Sequence, residues 1–172
     1  MKAKLIILIL LIGLKTVVGQ EIKLDKPSYY HEAYKYIKNQ PEFHNSNGIA
    51  ASDTIIFIDY SIFFDKLREE NNYINEREDL FFYLDSIDNR IKFNPFYAVE
   101  IKNMFPNIPF FDNILFFSKV YEKSLIVEVF NSKNKENNYK KLASFSMSTI
   151  YLFYYDDDDK IRKVFSVNMA YD

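Results

Sequence analysis

Residues 114–169 fall into seven blocks: ILFFSKVY, EK, SLIVEVFNS, KNKENNYKK, LASFSMSTIYLFYY, DDDDK and IRKVFSVNM. The first, third, fifth and seventh are rich in β-branched and aromatic residues, and the blocks between them are polar. That pattern predicts four strands, Ile114–Tyr121, Ser124–Ser132, Leu142–Tyr155 and Ile161–Met169, joined by hairpins. Leu125, Val127 and Val129 are expected on one face of the second strand, and Ile161, Phe165, Val167 and Met169 on one face of the fourth. The Asn/Lys-rich stretch 133–141 reads as a loop.

Upstream of this block the period changes. Tyr30, Ala33, Tyr34 and Ile37 recur at helical spacing behind Pro27 and Ser28, so a helix is expected from Ser28, with the serine hydroxyl as its cap, to just before Pro41. Phe43–Asp53 reads as a loop, and Thr54–Asp59 as a short strand buried on both faces. Ser61–Leu67 suits an extension of that strand or a short helix. The polar run 69–78 reads as a solvated connection. A second helix is expected over Leu80–Ile91, acidic at its front and basic at its back. Asn94-Pro95 signals a third, short helix that Pro106 and Pro109 end. Helices first and consecutive strands after them predict an α+β fold, with two or three N-terminal helices packed on one face of a mainly antiparallel sheet that ends in a four-strand meander.

The opening residues MKAKLIILILLIGLKTVVGQ place Lys2 and Lys4 ahead of a ten-residue apolar run, with small residues near Gly19. This is the pattern of a signal peptide, and the run is too short for a bilayer core that needs about 20 apolar residues. Residues 1–19 are therefore expected to be cleaved, 20–27 to form a flexible leader, and 28–172 to make one globular domain in the periplasm or outside the cell. Loss of three lysines from 22 basic residues leaves 19 against 24 acidic ones. A mildly acidic chain without a basic stripe is a poor nucleic-acid binder, and no transmembrane segment is expected after processing.

Several chemistries are excluded by composition. The chain has no Cys, which rules out disulfides, zinc–thiolate sites, iron–sulfur clusters and thiol nucleophiles. After processing Gly48 is the only glycine, so phosphate-cradling loops are excluded and no nucleotide cofactor is expected. Ser118, Ser144, Ser146 and Ser148 lie outside any nucleophile elbow. His31 and His44 are the only histidines, too few for a metal set, and His31 is not turned toward its neighbour Glu32 on a helix.

Asp156, Asp157, Asp158 and Asp159 could attract a hard cation such as calcium, yet they lack the alternate spacing and central glycine of a calcium loop. The preferred reading is a hairpin turn whose carboxylates bond local N–H groups. Tyr121, Tyr151, Tyr154 and Tyr155 could form an aromatic surface for a glycan or a protein, although aromatic residues are also good strand formers, and that plainer reading is preferred. The catalytic residues cannot be named from a motif. An exported binding or interaction module, with an unknown protein or glycan ligand, is the leading functional expectation. The alternative is a hydrolase built on scattered carboxylates such as Glu100, Asp112 or Glu128.

Glu32-Ala33-Tyr34-Lys35-Tyr36-Ile37, Ser52-Asp53-Thr54-Ile55-Ile56, Phe93-Asn94-Pro95-Phe96-Tyr97, Leu115-Phe116-Phe117-Ser118 and the closing Lys163-Val164-Phe165-Ser166 through Tyr171-Asp172 resemble a group of small exported Bacteroidetes proteins without an assigned activity. The resemblance implies an exported bacterial protein and transfers no functional residue.

Overall fold

The computed structural model describes residues 20–70, 82, 96–132, 136–144 and 146–171. The fold is α+β. One mixed sheet carries strands β1 (Gln20–Glu21), β2 (Ile49–Ile56), β3 (Phe96–Tyr97), β4 (Asn113–Ser118), β5 (Ser124–Asn131), β6 (Met147–Tyr155) and β7 (Ile161–Ala170) in the order β1-β3-β2-β4-β5-β6-β7. Four helices are described: α1 (Pro27–Lys38), α2 (Phe64–Glu70), α3 (Val99–Met104) and α4 (Tyr139–Leu142). Among the described residues, no helix is long and apolar enough to cross a membrane.

From β4 to β7 each strand runs antiparallel to the one before it. By contrast β2 lies parallel to β4, and β1 parallel to β3. Four of the six described pairings are antiparallel, so the sheet is mainly antiparallel as expected, and its β4–β5 centre is deeply buried. Every residue of β4 is buried, as are the first seven of β5, so these strands are covered on both faces. A continuous apolar run such as Ile114–Phe117 is what a doubly covered strand requires.

Two cores result, one on each face. Leu115, Phe117, Leu125, Val127, Val129, Phe153 and Tyr155 pack beneath α1, whose Tyr29, Tyr30, Ala33, Tyr34 and Ile37 are all buried. Ile114, Phe116, Ile126, Phe130, Ile150 and Leu152 pack on the other face against Tyr60, Phe63, Leu67 and Leu142. Helices thus cover both faces, not the single face expected.

Local boundaries moved for identifiable reasons. Pro27 is itself the first residue of α1, where its missing N–H costs nothing, and Ser28 bonds Asp159 (3.4 Å) instead of capping the helix. Residues 20–27, expected to be flexible, are tied down: β1 pairs with β3, Leu24 is buried, and its N–H donates to Glu100 Oε2 at 2.9 Å. β2 starts five residues early because Ala50 and Ala51, poor strand formers alone, are held by pairing with β4. Ser61–Leu67 resolves into a 3-10 turn over Tyr60–Phe63 followed by α2.

Part of the expected loop 133–141 is α4, with Asn138 Oδ1 accepting from Lys141 N–H, so the third strand begins at Met147 rather than Leu142. In β7 the register slips beside Tyr155, which puts Ile161 on the α1 face and leaves Phe165, Val167 and Met169 on the other. The expected single face for those four residues is corrected accordingly. The short helix after Asn94-Pro95 starts at Val99 instead, because Phe96–Tyr97 pairs with β2. The expected signal peptide, the helix over Leu80–Ile91 apart from Phe82, and most of the 69–78 connection lie outside the described residues.

Candidate functional site

The four tyrosines considered as a possible binding surface do not come together, in keeping with the preferred reading of them as strand residues. Tyr151 and Tyr155 are buried on the α1 face, where the Tyr155 hydroxyl donates to Tyr29 C=O (2.6 Å) and its ring stacks on Tyr29 at 3.7 Å. The Tyr151 hydroxyl donates to Glu42 (2.9 Å), and burial raises its pKa. Tyr154 and Tyr121 pack on the opposite face, edge-on to Phe165 and Tyr60 respectively. Strand alternation separates neighbours in sequence, so a cluster in the chain is no cluster in space.

The aspartate run closes the β6–β7 hairpin. Asp156 Oδ1 accepts the N–H groups of Asp158 and Lys160, both at 2.9 Å, and Asp159 adopts φ of 60°. Asp157 pairs with Lys123, and Asp159 with Lys26 at 3.0 Å. Those lysines hold both carboxyls below the usual range. The carboxylates therefore diverge toward different partners. Among the described residues, no three His, Cys, Asp or Glu side chains are grouped as a metal site would need.

The three carboxylates of the hydrolase reading also separate. Glu100 holds Leu24 on the α1 side, and Asp112 Oδ2 accepts the backbone and side-chain N–H of Asn47 (both 2.9 Å), which lowers its pKa. Glu128 points into the other core with no solvent exposure. Its Oε1 accepts from Ser148 and Tyr171 hydroxyls (both 2.6 Å), and its Oε2 from the Tyr139 hydroxyl (2.9 Å). Burial raises the Glu128 pKa, and the three hydroxyls only partly offset it. Burial likewise pushes Tyr171 up to about 12.

His31 and His44 are both exposed and apart: His31 stacks on Phe105 at 6.2 Å, and His44 Nε2 lies 3.1 Å from Asn39 C=O. The serine hydroxyls are all committed. Ser118 Oγ donates to Lys119 C=O (2.8 Å), Ser144 Oγ to Lys140 C=O (2.7 Å), Ser146 Oγ to Leu142 C=O and Ser148 Oγ to Glu128.

What the sequence did not reveal is a cleft of about 650 Å³ at the outer edge of β2. Residues 50–57 line its base. One bank comes from Tyr97, Lys102, Phe105 and the loop through Ile108, and the other from Asn137, Asn138, Tyr139 and Lys140. Phe105 belongs to the α1-face core and Tyr139 packs on the opposite one, so the cleft straddles the strand edge. Gly48 packs beneath Ile108, one of the lining residues. At φ of 149° it brings its Cα region under Ile108, where an added Cβ would meet Ile108 Cγ2 and Phe110 O at 3.1 Å. Tyr97, 41% exposed, presents part of its ring at the rim, and Phe110 (63%) stands exposed just beyond it.

No family model, curated protein or solved structure matches the chain. The site must therefore be read from its own chemistry. Among the described residues, aromatic rings, three asparagines, two lysines and one carboxylate, Asp53, line the cleft, whose floor begins with the small side chains of Ala50, Ala51 and Ser52. None of Glu100, Asp112 and Glu128 lines it. Such a lining supplies shape, stacking and hydrogen bonds, which are the means of binding.

Proposed function

We propose that this chain is an exported bacterial binding module of the periplasm or extracellular space, and that the cleft at the edge of β2 is its ligand site. The observation that carries the reading is the make-up of that cleft: among the described residues it combines rings and amides on two banks with a single lining carboxylate, Asp53. Acid–base hydrolysis of a glycosidic bond uses two carboxyl groups roughly 5–10 Å apart, and Asp53 alone among the described lining residues favours binding over that chemistry. Export rests on the leader pattern of residues 1–19, and the resemblance to small exported Bacteroidetes proteins agrees with it.

The test is NMR titration of the secreted, isotopically labelled protein against panels of short peptides and of oligosaccharides. A ligand is expected to shift amide signals of Ala50–Phe57, of Tyr97 and of Asn137–Lys140. Asn107→Trp, at an exposed position on one bank, narrows the cleft and is expected to abolish those shifts while leaving signals of β5–β7 in place. Shifts confined to another surface, or turnover of a panel member, would overturn the reading. Mass spectrometry of the exported protein is expected to find an N-terminus within a few residues of Gln20.

A further inference from the structure

Glu128 lies midway along β5, and strand alternation turns its side chain into the second core between Ile126 and Phe130. Its neighbours across the sheet are Phe116 on β4 and Ile150 on β6. A carboxyl group with no solvent exposure normally has a cation beside it. Here the hydrogen-bond partners are hydroxyls: Ser148 on β6, Tyr139 on α4 and Tyr171 just past β7.

Two of those hydroxyls come from separate segments that converge on one strand. α4 is four residues long and is held to the sheet by Leu142, by the Tyr139 ring against Phe116 and Phe130, and by the Tyr139 hydroxyl on Glu128. Tyr171 stacks on Phe130 with 5.9 Å between ring centroids, and its N–H donates to Ser146 C=O (2.9 Å). A helix this short has no stability of its own in water, so its fastenings decide whether it stays in place.

The charged groups on the surrounding elements are engaged elsewhere or exposed. On α4, Lys140 and Lys141 are exposed, and Lys141 pairs with Glu136 (3.1 Å). On α2, Asp65 and Arg68 are exposed and Lys66 donates to Ser166 C=O. On β7, Arg162 is exposed and Lys163 lies over the Phe165 ring. Of the other phenols on this face, Tyr60 bonds Ser124 (2.8 Å), while Tyr121 and Tyr154 pack edge-on to Tyr60 and Phe165. Burial keeps Tyr139 and Tyr171 protonated, the latter pushed up to about 12. Within the cluster of Glu128, Ser148, Tyr139 and Tyr171, Glu128 is therefore the group that changes charge at ordinary pH.

We propose that Glu128 is a proton-operated latch: with its proton on, it holds α4 and Tyr171 against the second core, and loss of the proton releases both segments while β4–β7 stay folded. The latch does not depend on what the cleft binds, because it acts on how one bank is held. An ionised carboxylate needs water, and swinging Tyr139 and Tyr171 outward admits it without parting the strands. Burial raises the pKa of the closed form above 4.5, whereas the opened form titrates as an ordinary carboxyl. Closure is thus firmest below 4.5 and weakens as pH rises toward the native value.

Amide hydrogen exchange of the exported protein, read by NMR from pH 4 to pH 8, tests this. The probes are the N–H groups of Leu142 and Ala143, which donate to Asn138 C=O (3.1 Å) and Tyr139 C=O (2.7 Å), and that of Tyr171. Their protection factors, which divide out the intrinsic rise of exchange with pH, are expected to fall by up to about tenfold per pH unit above 4.5 until Glu128 is ionised. They are expected to stay below those of β5 throughout. Glu128→Gln keeps the shape without the titration and is expected to flatten the profile. Tyr139→Phe removes one hydroxyl and is expected to lower α4 protection at pH 4 while sparing β5. The carbon-13 signal of the Glu128 carboxyl is expected to titrate above 4.5.

A flat profile in the parent, an undiminished slope in Glu128→Gln, or a carboxyl signal that titrates at or below 4.5 overturns the latch. Unchanged α4 protection in Tyr139→Phe overturns the part given to Tyr139. Protection of α4 equal to that of β5 at every pH overturns local release, since α4 then leaves only when the whole fold does.

Discussion

Replacing Glu128 should separate what the carboxylate does by accepting hydrogen bonds from what it costs by being buried. In Glu128→Ala the three hydroxyls of Tyr139, Ser148 and Tyr171 lose their acceptor. Ser148 is buried and has nowhere to turn, a penalty of about 1–3 kcal/mol. Tyr139 and Tyr171 are half-buried and can swing toward water, at about 0.5–1 kcal/mol each. The sum is roughly 3 kcal/mol, before relaxation of the void. Glu128→Gln keeps the shape and an acceptor oxygen but carries no charge, so it should stay within about 1 kcal/mol of the parent at neutral pH.

The pH dependence follows from the direction of the shift. Burial raises the Glu128 pKa above its ordinary 4.5, so the native chain holds a proton where the unfolded chain has released it. The stability this group contributes is full below 4.5 and is lost as pH rises through the raised native value. Asp112, Asp157 and Asp159 are shifted the other way and give the opposite slope, but they are common to parent and variant and cancel in the difference. Urea unfolding followed by tyrosine fluorescence, suited to a chain with 14 Tyr and no Trp, measures that difference from pH 4 to pH 8. The parent is expected to lose ground to Glu128→Gln as pH rises. If it gains ground instead, the three hydroxyls stabilise the anion by more than burial penalises it, and the reasoning is refuted.

Two further substitutions probe what holds the cleft and its surroundings. Gly48→Ala forces a side chain onto a φ of 149° and into contact with Phe110 O, so a loss of about 1–3 kcal/mol in chemical denaturation is expected, with line broadening in the loop 106–111. Leu24→Ala empties a buried site in the segment 20–27 and should cost about 2–3 kcal/mol, which a thermal melt would register; an unchanged melt would mean that this segment is loosely held after all.

The meander was legible because its information is local. Each strand from β4 to β7 is a run of β-branched and aromatic residues bounded by polar turns, and hairpin partners are neighbours in sequence. β2 was harder, since IAAS at its start has no strand character of its own and is recruited by a strand more than fifty residues later. The second core was hidden for a related reason. Phe63 and Leu67 on one side of it, and Tyr139 and Leu142 on the other, lie in segments too short for a periodicity to show. Alternation then dispersed the tyrosines of β6 between the two cores, which a reading of the chain as a string could not register.

The cleft was illegible because it is made of an interruption. β3 spans two residues and covers only part of the β2 edge, α3 turns away at Phe105, and α4 rises from a stretch whose composition is that of a loop. No residue in it is chemically conspicuous alone. Tyr139 connects this opening to the interior: its ring lines the cleft and packs against Phe116 and Phe130, while its hydroxyl reaches the buried Glu128. One bank of the site is therefore fastened to the core through a group that titrates. A change in Glu128 ionisation alters the acceptor that holds Tyr139, so Glu128→Gln should reduce the pH dependence of ligand affinity as well as that of stability, by the same sign argument and at the same residue.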